Sequence, residues 1–177
     1  MKSDRVVVRF AEDGDREAVK QVLVAAYSQY EATLSPERWA QYKTNILEAV
    51  EAATTKARLV AELGGEVAGS VFIYDNSEAA YGAPQLEIHN PIIRLLAVLP
   101  SARGHGIATE LIRASARLSR EWGEHTLHLH TSDMMDSAIR LYERLGFERA
   151  YDKEFHNGTA LVKSYRLNLA EAALLHA

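Results

Sequence analysis

The chain has 177 residues and a formal net charge of −4, with 47% apolar and 25% charged residues. These values are typical of one globular domain with a hydrophobic core, and they argue against the basic surface of a nucleic-acid-binding protein. The sequence contains no cysteine, which excludes a disulfide framework and a thiol nucleophile. No apolar run follows the N-terminus, and none approaches the roughly 20 residues of a membrane helix. We therefore expect a cytoplasmic protein without a membrane partner.

In chain order, the hydrophobic periodicity predicts the elements β-α-α-β-β-β-α-β-α-β-β. The predicted strands are residues 5–10, 58–63, 66–74, 85–99, 125–131, 148–154 and 161–169. The predicted helices are residues 13–33, a segment that starts at Ser35-Pro36, a segment with the apolar stripe Ile107, Leu111, Ala114 and Leu118, and residues 136–145. Hairpins dominate the first half and strands alternate with helices in the second, so the pattern indicates a mixed α/β sheet. No repeat or compositional break divides the chain, and we predict one domain over residues 1–170 with a tail at 171–177.

Short local signals place the connections. Gly64-Gly65 predicts a tight hairpin turn, and Asn157-Gly158 predicts another. Asn90-Pro91 interrupts the strand predicted over residues 85–99, because proline cannot donate a ladder hydrogen bond. The polar segment 75–84 is predicted to be a loop.

The most informative segment joins an apolar strand to a helix through Pro100 and the pattern Arg-x-x-Gly-x-Ala at residues 103–108. Main-chain N–H groups at a helix start have no intrahelical partner and lie at the positive end of the helix dipole. Such a junction binds phosphate readily, and Gly104 and Gly106 would let the backbone approach a ligand closely. The segment therefore predicts a nucleotide-type ligand; the alternative is a turn that needs glycine only for its geometry. It is not a Walker loop, because the lysine and serine or threonine of that motif are missing.

A second motif, Tyr-Glu-x-Leu-Gly-Phe at residues 142–147, follows at the end of a predicted helix. The strand Leu-Ala-Val-x-Pro at residues 96–100, the glycine loop and this helix end together resemble the GNAT superfamily of acyl-CoA-dependent N-acetyltransferases. The element order is similar over nearly the whole chain. The resemblance implies a single-domain mixed, largely antiparallel sheet flanked by helices. It also implies transfer of an acetyl group from acetyl-CoA, as co-substrate, to a primary amine.

The resemblance assigns roles to matching positions. Main-chain groups around Leu96, Ala97 and Val98 would pair with the pantetheine arm of coenzyme A. The residues whose N–H groups would hold its pyrophosphate are Arg103, Gly104, His105, Gly106, Ile107, Ala108 and Thr109. Tyr142 would protonate the departing thiolate, since a phenol within hydrogen-bond reach can act as a general acid. The alternative for Tyr142 is an aromatic side chain of the core.

The chain departs from the family pattern at two positions. Many relatives carry an asparagine at the position of Met135, and several carry a glutamate that acts as the catalytic base at the position of Ile92. We therefore predict that Glu87 and His89, which share one face of the cofactor strand if it stays extended, supply the base that deprotonates the acceptor amine. The alternative is that both lie on an exposed strand face without a catalytic role.

Three further alternatives stay open at this stage. His128 and His130 share a strand face and could converge on a metal, but Asp133 is the one further ligand near them in the sequence, and we predict no metal site. The same fold could bind acyl-CoA as a sensor without turnover, or could use another acyl group. The acceptor is predicted to be a small-molecule or peptide amine, and the family resemblance implies that the chain can form a homodimer.

Overall fold

A computed structural model of the chain describes residues 5–131, 136–157 and 160–175. The strands are β1 Val6–Phe10, β2 Ala57–Leu63, β3 Glu66–Tyr74, β4 Ile92–Val98, β5 Thr126–Thr131, β6 Glu148–Arg149, β7 Phe155–Asn157 and β8 Ala160–Asn168. The α-helices are α1 Arg16–Tyr27, α2 Pro36–Glu51, α3 Ser77–Tyr81, α4 Ile107–Glu121 and α5 Asp136–Arg144. The chain forms two compact units, Met1–Phe72 with Leu95–Ile112, and Ile73–Arg94 with Arg113–Ala177. The unit boundaries fall within β3, β4 and α4.

The first unit contains the hairpin and the two N-terminal helices. β1 runs antiparallel to β2 from the pair Val6↔Leu63 to the pair Phe10↔Leu59. The β2–β3 turn is the predicted one: Gly64 and Gly65 have φ of 62° and 83°, and positive φ at both central residues favours glycine. The start of α2 is also as predicted, since the Ser35 side chain accepts a hydrogen bond from the Arg38 N–H and Pro36 occupies the first turn. The core of this unit includes Leu23, Val60, Val71, Phe72, Ile107 and Leu111.

The second unit contains the one parallel strand pair among those whose register is described. β4 runs parallel to β5 through the pairs Ile92↔His128 and Ile93↔Leu129. β8 is antiparallel to β5, β6 and β7, so the sheet is mixed and mostly antiparallel, as predicted. The core here includes Ile73, Tyr74, Ile88, Leu127, Leu167 and Leu169.

Several predicted boundaries are wrong. The strand predicted over residues 148–154 is limited to Glu148–Arg149, because a 3₁₀ turn covers Tyr151–Lys153. Residues 77–81 are helical, although segment 75–84 was predicted to be a loop. The Asn76 side chain accepts from the Ala79 N–H, and Gly82 ends the helix at φ 64°. Both are ordinary capping residues, which turn signals resemble in a sequence. The strand predicted over residues 85–99 begins only at Ile92, because a 3₁₀ turn covers Pro84–Leu86 and Glu87 is left-handed with φ 52°.

The helix predicted over residues 13–33 is a composite of a 3₁₀ turn, α1 and a second 3₁₀ segment that ends at Thr33. In α4 the buried face is wider than the predicted stripe. Ile107 and Leu111 are buried, whereas Ala114 and Leu118 are only partly so. Further side chains complete the buried face of α4: Ile112, Ser115, Ala116 and Ser119. The predicted turn at Gly158 lies outside the described residues.

Candidate active site

A backbone irregularity divides β4. Leu95 has φ 56°, a left-handed conformation that is uncommon for any residue with a Cβ. The two pairs that join β4 to β5 both precede it. β4 therefore pairs with β5 only at its start, and its later residues follow the bend at Leu95.

The residues after this bend expose main-chain groups along one edge. The Leu99 N–H donates to Ala68 O of the β3 strand at 2.8 Å, so the main chain of Leu99 faces β3, and Ala97 shares that side by alternation. Because successive residues of a strand direct their N–H and C=O groups to opposite sides, Leu96 and Val98 direct theirs away from β3. This edge has the geometry that the predicted pairing with an extended ligand requires.

A tyrosine from α1 holds this edge. The Tyr27 hydroxyl donates to Leu96 O at 3.0 Å. Its ring also contacts Tyr30 and Tyr42, with ring centroids 6.0 Å apart in each pair. A carbonyl oxygen has two lone pairs, so the contact fixes Leu96 and leaves it able to accept a second hydrogen bond.

The glycine loop follows β4 directly. Pro100–Ala102 form a 3₁₀ turn, and Gly104 and Gly106 have φ of 87° and 73°. A Cβ built on either of these two glycines would meet no atom within 4 Å, so the loop faces open space. The His105 ring bonds back to Ala102 O through Nδ1 at 2.9 Å, which stabilises the turn.

The loop opens into the start of α4. The first described intrahelical bond runs from the Glu110 N–H to Gly106 O at 3.0 Å. The N–H groups of Ile107, Ala108 and Thr109 precede that bond and have no acceptor within the helix. They lie at the positive end of the helix dipole, so the loop and the helix start together form an anion-binding geometry made of main-chain donors.

Close packing fixes the first turn of α4. Ile107 is 2% exposed. A Cβ at Gly69 of β3 would lie 2.7 Å from Ile107 Cγ2 and 3.0 Å from Ala97 O. The absence of a side chain at Gly69 therefore allows α4 to begin directly against the sheet. Sequence reasoning missed this glycine, because nothing near it in the chain indicates what it packs against.

Tyr142 lies near the end of α5 and is 8% exposed. Its ring packs against Phe147 with centroids 6.0 Å apart. Its carbonyl accepts from the N–H groups of Leu145 and Phe147 at 3.1 and 3.0 Å, and Gly146 ends the helix with φ 101°. The Leu145-Gly146-Phe147 sequence is thus the capping segment that orients the tyrosine.

The structure does not place the predicted base residues on β4. Glu87 is the left-handed residue after a 3₁₀ turn, and His89 also precedes the strand. Both side chains are exposed. The prediction that they share a face of the cofactor strand is therefore wrong, because the backbone is not extended there. Lys153 Nζ donates to Glu87 O at 3.1 Å.

The strand histidines lie among polar and aromatic side chains. His128 is 4% exposed, and the Tyr81 hydroxyl is 2.8 Å from Nδ1 of His130. Burial lowers the pKa of each imidazole to about 4, and the proximity of His130 adds to the effect on His128. No group of three acidic, histidine or cysteine ligands that could hold a metal lies within the described residues; Asp133 and Met135 fall outside them. Tyr81 escaped the sequence analysis because its helix was predicted to be a loop.

Comparison with known proteins identifies the family. A model of the "Acetyltransferase (GNAT) family" matches residues 17–147, which is most of the chain. The chain therefore belongs to the GNAT acetyltransferase family. Among curated proteins, N-acetyltransferase 8B of Rattus norvegicus is 32% identical over 124 residues, covering 66% of this chain and 54% of that protein. N-acetyltransferase family 8 member 2 of the same species is 35% identical over 115 residues, covering 61% and 49%. The chain thus spans about half the length of the curated relatives it matches.

Solved structures show the same fold. A putative GNAT-family acetyltransferase of Desulfovibrio desulfuricans superposes with a TM-score of 0.68 at 20% identity, covering 93% of this chain and 99% of that one. A GNAT-family acetyltransferase of Brucella melitensis in complex with acetyl-CoA superposes with a TM-score of 0.62 at 24% identity, covering 93% of this chain and 88% of that one. The predicted fold class is confirmed. Within the part of the chain that the structure describes, no helix is long and apolar enough to cross a membrane.

Proposed function

We propose that this protein is an N-acetyltransferase that moves an acetyl group from acetyl-CoA to a primary amine by direct attack. The observation that carries the proposal is the run of main-chain donors from Gly104 to Thr109, which combines two left-handed glycines with the start of α4. The N–H of Arg103, which was predicted to belong to this run, donates to Pro100 O instead. Family membership supports it, as do the related solved structures that contain acetyl-CoA. The activity of curated relatives named N-acetyltransferase points the same way.

The described residues fit acyl-CoA in two places. The N–H groups of the first turn of α4 suit a pyrophosphate because they have no acceptor within the helix, and the loop before them is open at Gly104 and Gly106. The N–H and C=O groups of Leu96 and Val98 suit the amides of a pantetheine arm, because an extended ligand can add to a strand edge. The Leu96 carbonyl accepts from Tyr27 and keeps a second lone pair for the ligand. Acetyl-CoA would supply a thioester, whose thiolate is a fair leaving group.

The chain's own groups would then act on the transfer. The free amine of the acceptor forms a bond to the acetyl carbon, and the Val98 N–H stabilises the developing oxyanion. The Tyr142 hydroxyl gives its proton to the sulfur as the carbon–sulfur bond breaks. The proton released by the amine goes to a base and returns to Tyr142 through solvent, so protons balance over one turnover.

The identity of the base stays a prediction. Glu87 and His89 are exposed and near the start of β4, so either would have to act through water. Glu87→Gln and His89→Gln test each role, since loss of the base lowers kcat and leaves the Kd for coenzyme A unchanged. The cytoplasmic location, the homodimer and the domain limits 1–170 also stay predictions of the sequence.

Replacement of Tyr142 by phenylalanine is the decisive experiment. We expect kcat to fall by about 10²-fold or more, the usual contribution of a general acid, while the Kd for coenzyme A stays within twofold. Free-thiol release with a panel of amines measures the first quantity and calorimetry the second. Tyr151→Phe is the matched control, because that ring is 72% exposed.

Each outcome of this experiment has a separate meaning. An unchanged kcat in the Tyr142→Phe variant removes the acid role. Tight coenzyme A binding by the wild type without thiol release from any amine favours a sensor. Parallel lines in a double-reciprocal plot count against direct attack.

A further inference from the structure

A polar cluster in the second unit has no role in the chemistry described so far. We call Tyr81, Arg94 and His130 the Tyr81 cluster; they come from α3, β4 and β5. Tyr81 and His130 hydrogen-bond at 2.8 Å with their rings edge to face, centroids 5.1 Å apart. The Phe155 ring packs against both rings, with its centroid 5.8 Å from that of Tyr81 and 5.5 Å from that of His130. All three side chains of the cluster are half-buried.

Arg94 brings a positive charge into this cluster that no carboxylate of the described residues compensates. Its guanidinium carbon lies 4.9 Å from the centre of the Tyr81 ring and 5.6 Å from that of Tyr74. Nη1 donates to Ala80 O at 2.7 Å, which leaves the Nε and Nη2 donors. A half-buried guanidinium is ordinarily paired, because removing its charge from water is costly.

The nearby carboxylate is already engaged. Glu154, whose charge is felt at His130, binds Arg149 through both oxygens. One of those oxygens also accepts from the Ser164 N–H at 3.0 Å. The fold thus does not supply the missing anion from this residue.

Two buried hydroxyl oxygens of the second unit, Tyr74 Oη and Ser164 Oγ, have no hydrogen-bond partner among the described residues. The His130 imidazole, by contrast, meets the Lys153 main chain as well as the Tyr81 hydroxyl. Tyr74 is 1% and Ser164 0% exposed. Ser164 stands directly opposite His130 in the β5–β8 pairing, which places the two side chains on one face of the sheet. Buried polar groups are nearly always hydrogen-bonded, so such a group of unpaired atoms calls for a ligand or water.

We propose that the Tyr81 cluster binds the carboxylate of the acceptor, so that the acceptor is an amine that also carries a carboxylate, as in an amino acid. This inference rests on the proposed N-acetyltransferase function. The two free donors of Arg94 form the planar fork that matches a carboxylate. His130 stays neutral, since burial and the neighbouring Arg94 lower its pKa to about 4. One cation with neutral donors around it suits a singly charged anion better than a phosphate dianion.

The test compares amines that differ only in the carboxylate. Each of the common amino acids is assayed beside its decarboxylated amine and its amide, with acetyl-CoA and free-thiol release as the readout. We expect the best amino acid to exceed its decarboxylated amine at least 50-fold in kcat/KM. Arg94→Gln should erase that preference by raising KM for the amino acid, and leave the Kd for coenzyme A unchanged.

Two further variants complete the design. Arg94→Lys keeps the charge without the fork, and should lose most of the preference even if Arg94→Gln does not fold. Arg166→Gln is the matched control, because this exposed arginine of β8 pairs with Asp152 at 3.2 Å. The Arg166→Gln variant should prefer amino acids over decarboxylated amines to the same extent as the wild type.

The results separate the two proposals. Equal use of amino acids and decarboxylated amines, a preference retained in both Arg94 variants, or a panel in which no carboxylate-bearing amine is acetylated overturns the carboxylate subsite. A wild-type chain that does not bind coenzyme A overturns the proposed function instead.

Discussion

The glycine loop and the Tyr81 cluster are two candidate ligand sites built in opposite ways. The loop uses main-chain N–H groups of consecutive residues from Gly104 to Thr109. The Tyr81 cluster uses side chains from three separate elements. A main-chain site tolerates changes of side chain but depends on backbone angles, whereas a side-chain site depends on residue identity and on burial. The two should therefore respond to different perturbations.

Acidification is expected to give the largest effect, and to act on the second unit. Burial lowers the pKa of His128 and of His130 to about 4 in the folded chain. As pH falls below about 6.5, the unfolded chain takes up protons that the folded chain does not. The contribution of the two neutral imidazoles to the free energy of unfolding is thus fully present above about pH 6.5. It is lost progressively as the pH falls to about 4. Between pH 7 and 5 we expect a loss of about 1–2 kcal/mol per histidine in the free energy of unfolding.

Urea unfolding at pH 7, 6 and 5 measures this loss. His128→Gln should remove about half of the slope, in proportion to the two histidines involved. His89→Gln, at an exposed position, should leave the slope as in the wild type. A slope that is the same in all three proteins would contradict the assignment to buried imidazoles.

A smaller effect is expected in the first unit from Gly69→Ala. The added Cβ would lie 2.7 Å from Ile107 Cγ2, so α4 must shift, and overpacking of this kind costs about 1–3 kcal/mol. The free energy of unfolding should fall by that amount, and the affinity for coenzyme A should fall with it. Gly14→Ala is the control, because a Cβ there meets nothing within 4 Å. If the Gly69→Ala variant is as stable as wild type, the close approach of α4 to β3 does not hold.

The smallest expected effect distinguishes backbone angle from side-chain identity. Gly106→Ala places a Cβ on a residue with φ 73°, which costs about 1–2 kcal/mol in a left-handed conformation. Relief of that strain turns the loop donors away, so the Kd for coenzyme A should rise about tenfold. Gly65→Ala carries similar strain at φ 83° in the hairpin turn and should lower stability without changing the Kd. Equal Kd values in both variants would show that the loop angles do not matter for binding.

The parts of the site that sequence analysis located are those specified by neighbouring residues. A turn and a helix start are predicted by Pro100, Gly104 and Gly106, and the structure has both. The base candidates Glu87 and His89 failed as strand residues because a left-handed residue and a 3₁₀ turn replace the strand. Their sequence is equally compatible with an extended segment, and the choice depends on packing with distant residues.

By itself, the sequence determined the mixed sheet, the β2–β3 hairpin, the cap of α2 and the glycine loop, because glycine, proline and capping side chains act on the backbone within a few residues. The tertiary structure alone decided the bend at Leu95 and the meeting of Tyr81, Arg94 and His130. These features depend on burial and on contacts between residues far apart in the chain, and short-range preferences do not encode such contacts.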